Sequence, residues 1–209
     1  MNRFRTGALA LLALCSLTAA GVVAQEKAVT KPAKAELATP DKAVKDFRLQ
    51  DVTHDLKEGE KPDAAMVALS EFKDKKPVVL FFMSEKCQTT WRYEKRMGKL
   101  VEKYGKKDVA FFAVRCSAND TCDSIRKFAE AKNFDMPILN DAKGEMSRYF
   151  KIRCTPTFVL IDKKGVLRYE GSFDDAPDEP DVTKSFLPTA IVAVLDDKQV
   201  AVKTNPAFG

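Results

Sequence analysis

Histidine is almost missing from this chain, with one residue, His54, among 209. It sits in the polar stretch "DVTHDLKEGE" with no cysteine near it in sequence, which reads as a surface position rather than a catalytic one. Without more imidazoles or a second close cysteine pair, no metal site is expected on Cys116 and Cys122. No residue pattern calls for a cofactor. Charge of one sign is also lacking: 35 basic residues face 30 acidic ones, spread along the whole length. Such a balance gives no case for a nucleic acid or other polyanion as partner. No internal repeat is visible.

Long apolar runs are absent except at the start. "MNRFR" carries two arginines, "GALALLALCSLTAAGVV" follows, and Val22 and Ala24 fit the −3 and −1 positions of a cleavage site before Gln25. A basic region, an apolar region and a small-residue site make residues 1–24 a secretory signal peptide. The rival is a retained membrane tether, but the run is short and broken by small residues for a span of roughly 20. Removing the signal takes Arg3, Arg5 and Cys15 with it, so the net charge falls from +5 to +3. The expected location is therefore exported, periplasmic or extracellular, with membrane tethering as the alternative.

Residues 25–40, "QEKAVTKPAKAELATP", have almost no large side chain to offset ordering entropy and read as a flexible linker. Residues 41–209 have the length of one domain with a real core. "VKDFRLQDV" looks like a short strand, and residues 64–72 like a helical patch inside a polar loop. "PVVLFF" and "DVAFFAVRC" are apolar without alternation, which suits strands covered on both faces. Helical spacing follows each: Trp91, Met97, Leu100, Val101 and Tyr104 after the first, Ile125, Phe128 and Ala129 after the second. Two further strands flank the turn "DKKG", and a last helix covers "SFLPTAIVAVLDD". The expected fold is α/β: a central mixed sheet, parallel in its strand–helix–strand part, antiparallel at the hairpin and flanked by helices.

Two blocks, "VVLFFMSEKC" before a helix and "YFKIRCTPTFVLIDKKGVL" some way downstream, together resemble the thioredoxin-like fold. More closely they resemble its redoxin branch, which includes alkyl hydroperoxide reductases, thiol-specific antioxidants and thiol-disulfide oxidoreductases. The likeness runs from about Phe47 to Phe173. It implies that Cys87 is the active-site cysteine at a helix N-terminus and that Pro156 is a cis-proline opposite it. It also implies that the Thr155 backbone pairs with a bound peptide or disulfide partner. A helix N-terminus stabilises a thiolate through its partial positive charge and spare N–H groups.

The departures from the family patterns narrow the chemistry. "CQTT" puts Thr90 where a dithiol enzyme carries its second cysteine, so cycling within the motif is excluded. Thr90 can hydrogen-bond a thiolate, and Ser84 matches the hydroxyl position of peroxiredoxins, although Leu80 and Gln88 replace their prolines. Arg115 and Arg153 are candidates for the arginine that peroxiredoxins need. Cys154, two residues before Pro156, is a possible resolving thiol. Cys116 and Cys122 bracket the turn "SANDT" and are a disulfide candidate in an oxidising compartment.

The resulting expectation is an exported thiol oxidoreductase. Cys87 acts on disulfides or peroxides, with Ser84 and Thr90 assisting and Thr155 and Pro156 holding the substrate. Its partners would be a thiol, disulfide or peroxide substrate and an external thiol reductant. The alternative is a non-catalytic binding module that uses the cis-proline surface.

Overall fold

The computed structural model describes residues 36–106, 108–117, 120–132, 134 and 136–209. The expected signal peptide (residues 1–24) and most of the expected linker (residues 25–40) lie outside the described residues. Among the described residues no helix is long and apolar enough to cross a membrane.

The elements in chain order are β1 (Arg48–Gln50), β2 (Met66–Ala68), β3 (Val78–Met83), α1 (Gln88–Tyr104), β4 (Ala110–Arg115) and α2 (Cys122–Lys132). Then come β5 (Ile138–Asn140), α3 (Glu145–Tyr149), β6 (Thr157–Ile161), β7 (Leu167–Gly171) and α4 (Leu187–Leu195). The main sheet has the order β5-β4-β3-β6-β7. β3 pairs parallel with β4, and β4 with β5, while β6 and β7 join antiparallel. This is the mixed, helix-flanked sheet of the thioredoxin-like fold.

The apolar runs explain the centre. Every residue of β3, β4 and β6 is buried, because helices or loops cover both faces of the sheet. Alternate side chains enter two core layers. Val79, Phe81 and Met83 face α1 and α4, while Val78, Leu80 and Phe82 face Leu69, Tyr149 and Phe150. Phe81 stacks on Phe158 of β6, with ring centres 4.9 Å apart. Burying each such aromatic contributes on the order of 1.5–3 kcal/mol. The β6–β7 turn is held by Asp162, whose Oδ1 accepts the N–H groups of Lys164 (2.8 Å) and Val166 (2.9 Å). Gly165 supplies the positive φ of 78° that this turn requires.

Two expectations are corrected. Residues 64–72 are not one continuous helical patch: 3-10 helices at Pro62–Ala65 and Leu69–Phe72 flank β2, which pairs antiparallel with β1. Strand pairing with Arg48–Gln50 overrides the local helical spacing. The end of the stretch read as linker is packed, since Ala38 is buried and donates its N–H to the Tyr149 carbonyl at 2.9 Å. An alanine is small enough to enter that contact, so the absence of large side chains does not keep it out.

Candidate active site

β3 ends at Met83, and the turn Ser84-Glu85-Lys86 carries the chain to Cys87 at the N-cap of α1. The turn is fastened by three hydrogen bonds. The Cys87 N–H donates to the Ser84 carbonyl at 3.2 Å, and the Lys86 N–H to Ser84 Oγ at 3.3 Å. The Glu85 N–H donates to Oδ2 of the fully buried Asp120, also at 3.3 Å. Ser84 thus shapes the loop through its hydroxyl.

The antiparallel register places Phe82 of β3 opposite Thr157 of β6. The loop just before β6 is thereby brought to the end of β3, where Cys87 stands. The Thr155–Pro156 peptide in that loop is cis. Cys87 Sγ donates to the Thr155 carbonyl oxygen at 3.0 Å. Thr157 Oγ1 donates to the Cys154 carbonyl at 2.8 Å and ties down the same loop.

Burial of the Cys87 sulfur is the largest single influence on its ionisation and opposes it. Hydrogen bonding from the Thr155 and Thr90 side chains, with the N–H groups of Thr90 and Thr89 at the helix start, outweighs that burial. The net result holds the thiol below its ordinary pKa. The carbonyl contact favours the protonated thiol, so ionisation exchanges that bond for donors on the opposite side. Thr90 Oγ1 is suited to the exchange, because it is buried and has no hydrogen-bond partner other than the sulfur.

The other cysteines sit in different settings, and all four described cysteines are free thiols. Cys116 follows β4, whose Arg115 pairs with Met83, and its Sγ donates to the Met83 carbonyl at 3.4 Å. Burial, then the charges of Asp141 and Asp120, push its pKa up to about 12. Cys122 starts α2 and accepts from Asn140 Nδ2 at 3.6 Å. Cys116 packs with the core layer of Leu80 and Phe82, Cys122 with the layer of Phe81 and Met83. Cys154 Sγ points to the Ala207 carbonyl at 3.6 Å.

Of the expected site residues, Cys87, Thr90, Thr155 and Pro156 come together. Arg115 is buried with its guanidinium on Asn140 of β5, and Arg153 is exposed. His54 contacts Glu60 at 3.4 Å within its own loop. Trp91 lies against Phe128 of α2, with ring centres 4.5 Å apart. Two contributors were not read from the sequence: Asp120, which anchors the Cys87 turn, and the chain end at Ala207–Gly209, which lies on the Cys154–Thr155 loop. Asp120 sat in a segment that looked like a turn, and nothing in "KTNPAFG" marks a docking segment.

Known proteins are similar to this chain over most of its length. Thiol-disulfide oxidoreductase ResA of Bacillus thuringiensis subsp. konkukian is 29% identical over 164 residues, covering 78% of this chain and 84% of that protein. Thioredoxin-like protein YneN of Bacillus subtilis is 31% identical over 121 residues, covering 54% of this chain and 70% of that protein. Among solved structures, a hypothetical protein of Sinorhizobium meliloti 1021 superposes with a TM-score of 0.67 at 28% identity, over 85% of this chain and 93% of the other. The AhpC/TSA family description matches residues 40–170, and the chain belongs to that family.

Proposed function

We propose that this chain is an exported thiol-disulfide oxidoreductase with Cys87 as its nucleophile. One observation carries the reading: the Cys87 sulfur stands at a helix N-cap, 3.0 Å from the Thr155 carbonyl, with its pKa lowered. Membership of the AhpC/TSA family and likeness to a thiol-disulfide oxidoreductase support it.

In the first step the Cys87 thiolate attacks one sulfur of a substrate disulfide. A Cys87–substrate disulfide forms, the original S–S bond breaks, and the second substrate sulfur leaves as a thiolate that takes a proton from water. An external thiol then attacks the mixed disulfide as its thiolate. Its attack on Cys87 Sγ releases the substrate as its thiol and leaves a Cys87–external disulfide. A second external thiolate attacks that bond, freeing Cys87, which takes up a proton, and leaving the external reductant oxidised to its disulfide. Thr90 cannot replace that outside thiol, since a hydroxyl does not resolve a disulfide. Disulfides are the favoured substrate because the chain is similar to a thiol-disulfide oxidoreductase over 78% of its length. Export rests on the sequence pattern of residues 1–24.

The test is reduction of a mixed-disulfide substrate by a small thiol, with the wild type beside Cys87→Ser and Cys154→Ser. The expected result is loss of turnover in Cys87→Ser and a trapped Cys87 adduct when the external thiol is withheld. Turnover that survives Cys87→Ser overturns the proposal. Turnover lost in Cys154→Ser, with the Cys87 adduct accumulating, replaces the external resolving thiol by an internal one.

A further inference from the structure

Beyond the last helix the chain does not trail away. Lys203 and Asn205 extend the free edge of β7: the Glu170 N–H donates to the Lys203 carbonyl at 2.9 Å, and the Asn205 N–H to the Glu170 carbonyl at 3.3 Å. The Asn205 side chain then locks the segment in place. Its Nδ2 donates to Ser172 Oγ at 2.6 Å, and its Oδ1 accepts the Ser172 N–H at 3.2 Å and the Tyr169 hydroxyl. Phe208 packs on the core layer that contains Phe158 and Phe173. Ala207 offers its carbonyl to Cys154 Sγ.

The segment ends on the loop that faces the nucleophile. A methyl group added to Gly209 would stand 2.5 Å from the Thr155 carbonyl oxygen, 2.7 Å from Cys154 Cβ and 3.1 Å from the Thr155 nitrogen. Each of these is below or near the closest approach that atoms tolerate, and two of the three atoms are backbone and cannot swing aside. The Thr155 carbonyl is also the atom that Cys87 Sγ touches. The segment therefore covers the backbone of the residue against which the sulfur rests, and only glycine fits there.

We infer that residues 205–209 are an internal occupant of a peptide subsite at Cys154–Thr155, and that this subsite accepts an extended chain with glycine against Thr155 and an aromatic residue before it. The partner it fits is accordingly a peptide segment of the form aromatic–glycine, which exchanges with the chain's own Phe208-Gly209. The inference rests on the reading of Cys87 as the nucleophile only for its consequence: exchange at this subsite governs access to the sulfur. Two features set Gly209 apart from the core-packed Phe208 before it. Gly209 itself is exposed, and its fit is set by backbone contact instead of apolar burial. Covering by a tethered segment lowers the apparent reactivity of the site by the fraction of time that it is uncovered.

The experiment uses the chain lacking residues 206–209, which keeps the Asn205 network, and the full chain carrying Gly209→Val as a second variant with its composition otherwise unchanged. A synthetic peptide Pro-Ala-Phe-Gly, which corresponds to the deleted residues, and the same peptide with the Gly209→Ala change, are titrated by calorimetry into the shortened chain. Alkylation of Cys87 by iodoacetamide is followed alongside by mass spectrometry. The expected result is saturable binding of the glycine peptide, weakened at least about tenfold by the alanine change. Cys87 alkylation should rise about tenfold in both variants if the uncovered form is roughly a tenth of the population, and fall again when the glycine peptide is added. No binding, equal binding of the two peptides, or binding that leaves alkylation of a reactive Cys87 unchanged overturns the subsite. Unchanged alkylation in both variants relative to the full chain does so too. A Cys87 that resists alkylation in every form, while the glycine peptide still binds selectively, refutes the nucleophile and leaves the subsite standing.

Discussion

Cys87 Sγ and the Thr155 carbonyl oxygen are 3.0 Å apart, although 68 positions separate the two residues in sequence. The antiparallel register of β3 on β6 creates that contact by setting Phe82 opposite Thr157. One strand delivers Cys87 and its neighbour delivers the loop whose carbonyl accepts the thiol proton. The reactivity of Cys87 therefore depends on the balance between that carbonyl and the donors at the start of α1.

Thr90→Val tests the donor side. The Thr90 hydroxyl is buried and has no hydrogen-bond partner other than the Cys87 sulfur. Around the thiolate it helps to hold the negative charge. Replacing it by the isosteric valine removes one of the donors that hold the pKa down, so the pH at which Cys87 alkylates should rise. Thermal stability at neutral pH should stay level or rise slightly. A pH–rate profile for iodoacetamide together with a melting curve checks both signs, and an unshifted profile would remove Thr90 from the site.

The cysteines should also separate by pH. Cys87, with its pKa lowered, should alkylate at lower pH than an ordinary thiol, whose value is about 8.5. Cys116, pushed up to about 12, should stay unmodified in the folded chain across that range. The same shifts act on stability with opposite signs. The folded pKa of Cys116 exceeds its unfolded value, so its contribution is complete below the ordinary thiol pKa. That contribution is lost as pH rises toward about 12, because the unfolded chain releases its proton first. Cys87 gives the reverse: its contribution is present above the ordinary value and lost as pH falls through its lowered one. Denaturant midpoints between neutral and alkaline pH, measured for the wild type and Cys116→Ala, should show a shallower alkaline decline in the variant.

Arg96 tests what holds α1 over the sheet. Its guanidinium is buried, pairs with Asp174, and donates to the Ala176 carbonyl at 3.1 Å and to the Pro177 carbonyl. It also lies 4.1 Å from the Tyr93 ring centre. Burial pulls the Asp174 pKa upward against the guanidinium, so the pair is costly to desolvate and still more costly to break. Arg96→Leu should destabilise the fold by about 3–5 kcal/mol, because it strands a buried carboxylate. The double variant Arg96→Leu/Asp174→Leu should lose less. Chemical denaturation of the three proteins decides the matter, and a double variant as unstable as the sum of its singles would show that the two residues act independently.

The course of the sheet was legible because its strands are apolar on both faces; "PVVLFF" and "DVAFFAVRC" have no other stable place than between two layers. Cys87, Thr90, Thr155 and Pro156 were legible from the resemblance of two blocks, and the strand register brings them together. Arg96 was not, since a charged residue at helical spacing reads as solvated surface until its partner arrives from 78 positions away. Strands β2 and β5, of three residues each, carry too short a pattern to separate from loop. The docking of residues 203–209 depends on backbone pairing and on glycine at two contacts, and side-chain periodicity does not encode either.

Gly171→Ala tests that docking from the other end. A methyl group at Gly171 would stand 1.9 Å from Asn205 Oδ1 and 2.6 Å from the Asn205 carbonyl oxygen. Neither atom can retreat cheaply, because Oδ1 also accepts from Tyr169 and Ser172, and the backbone is paired with Glu170. The added methyl should therefore lift the segment from β7 and break the Asn205 network together. The expected destabilisation is about 1–3 kcal/mol, the usual range for a group forced into a filled space. Hydrogen exchange distinguishes local lifting from general loosening. The amides of Glu170 and Asn205, which make the edge bonds, should exchange faster, while those in β3 and β6 keep their protection. Equal acceleration across the whole sheet would mean that the segment is one cooperative unit with the core, and that its removal unfolds the site rather than uncovering it.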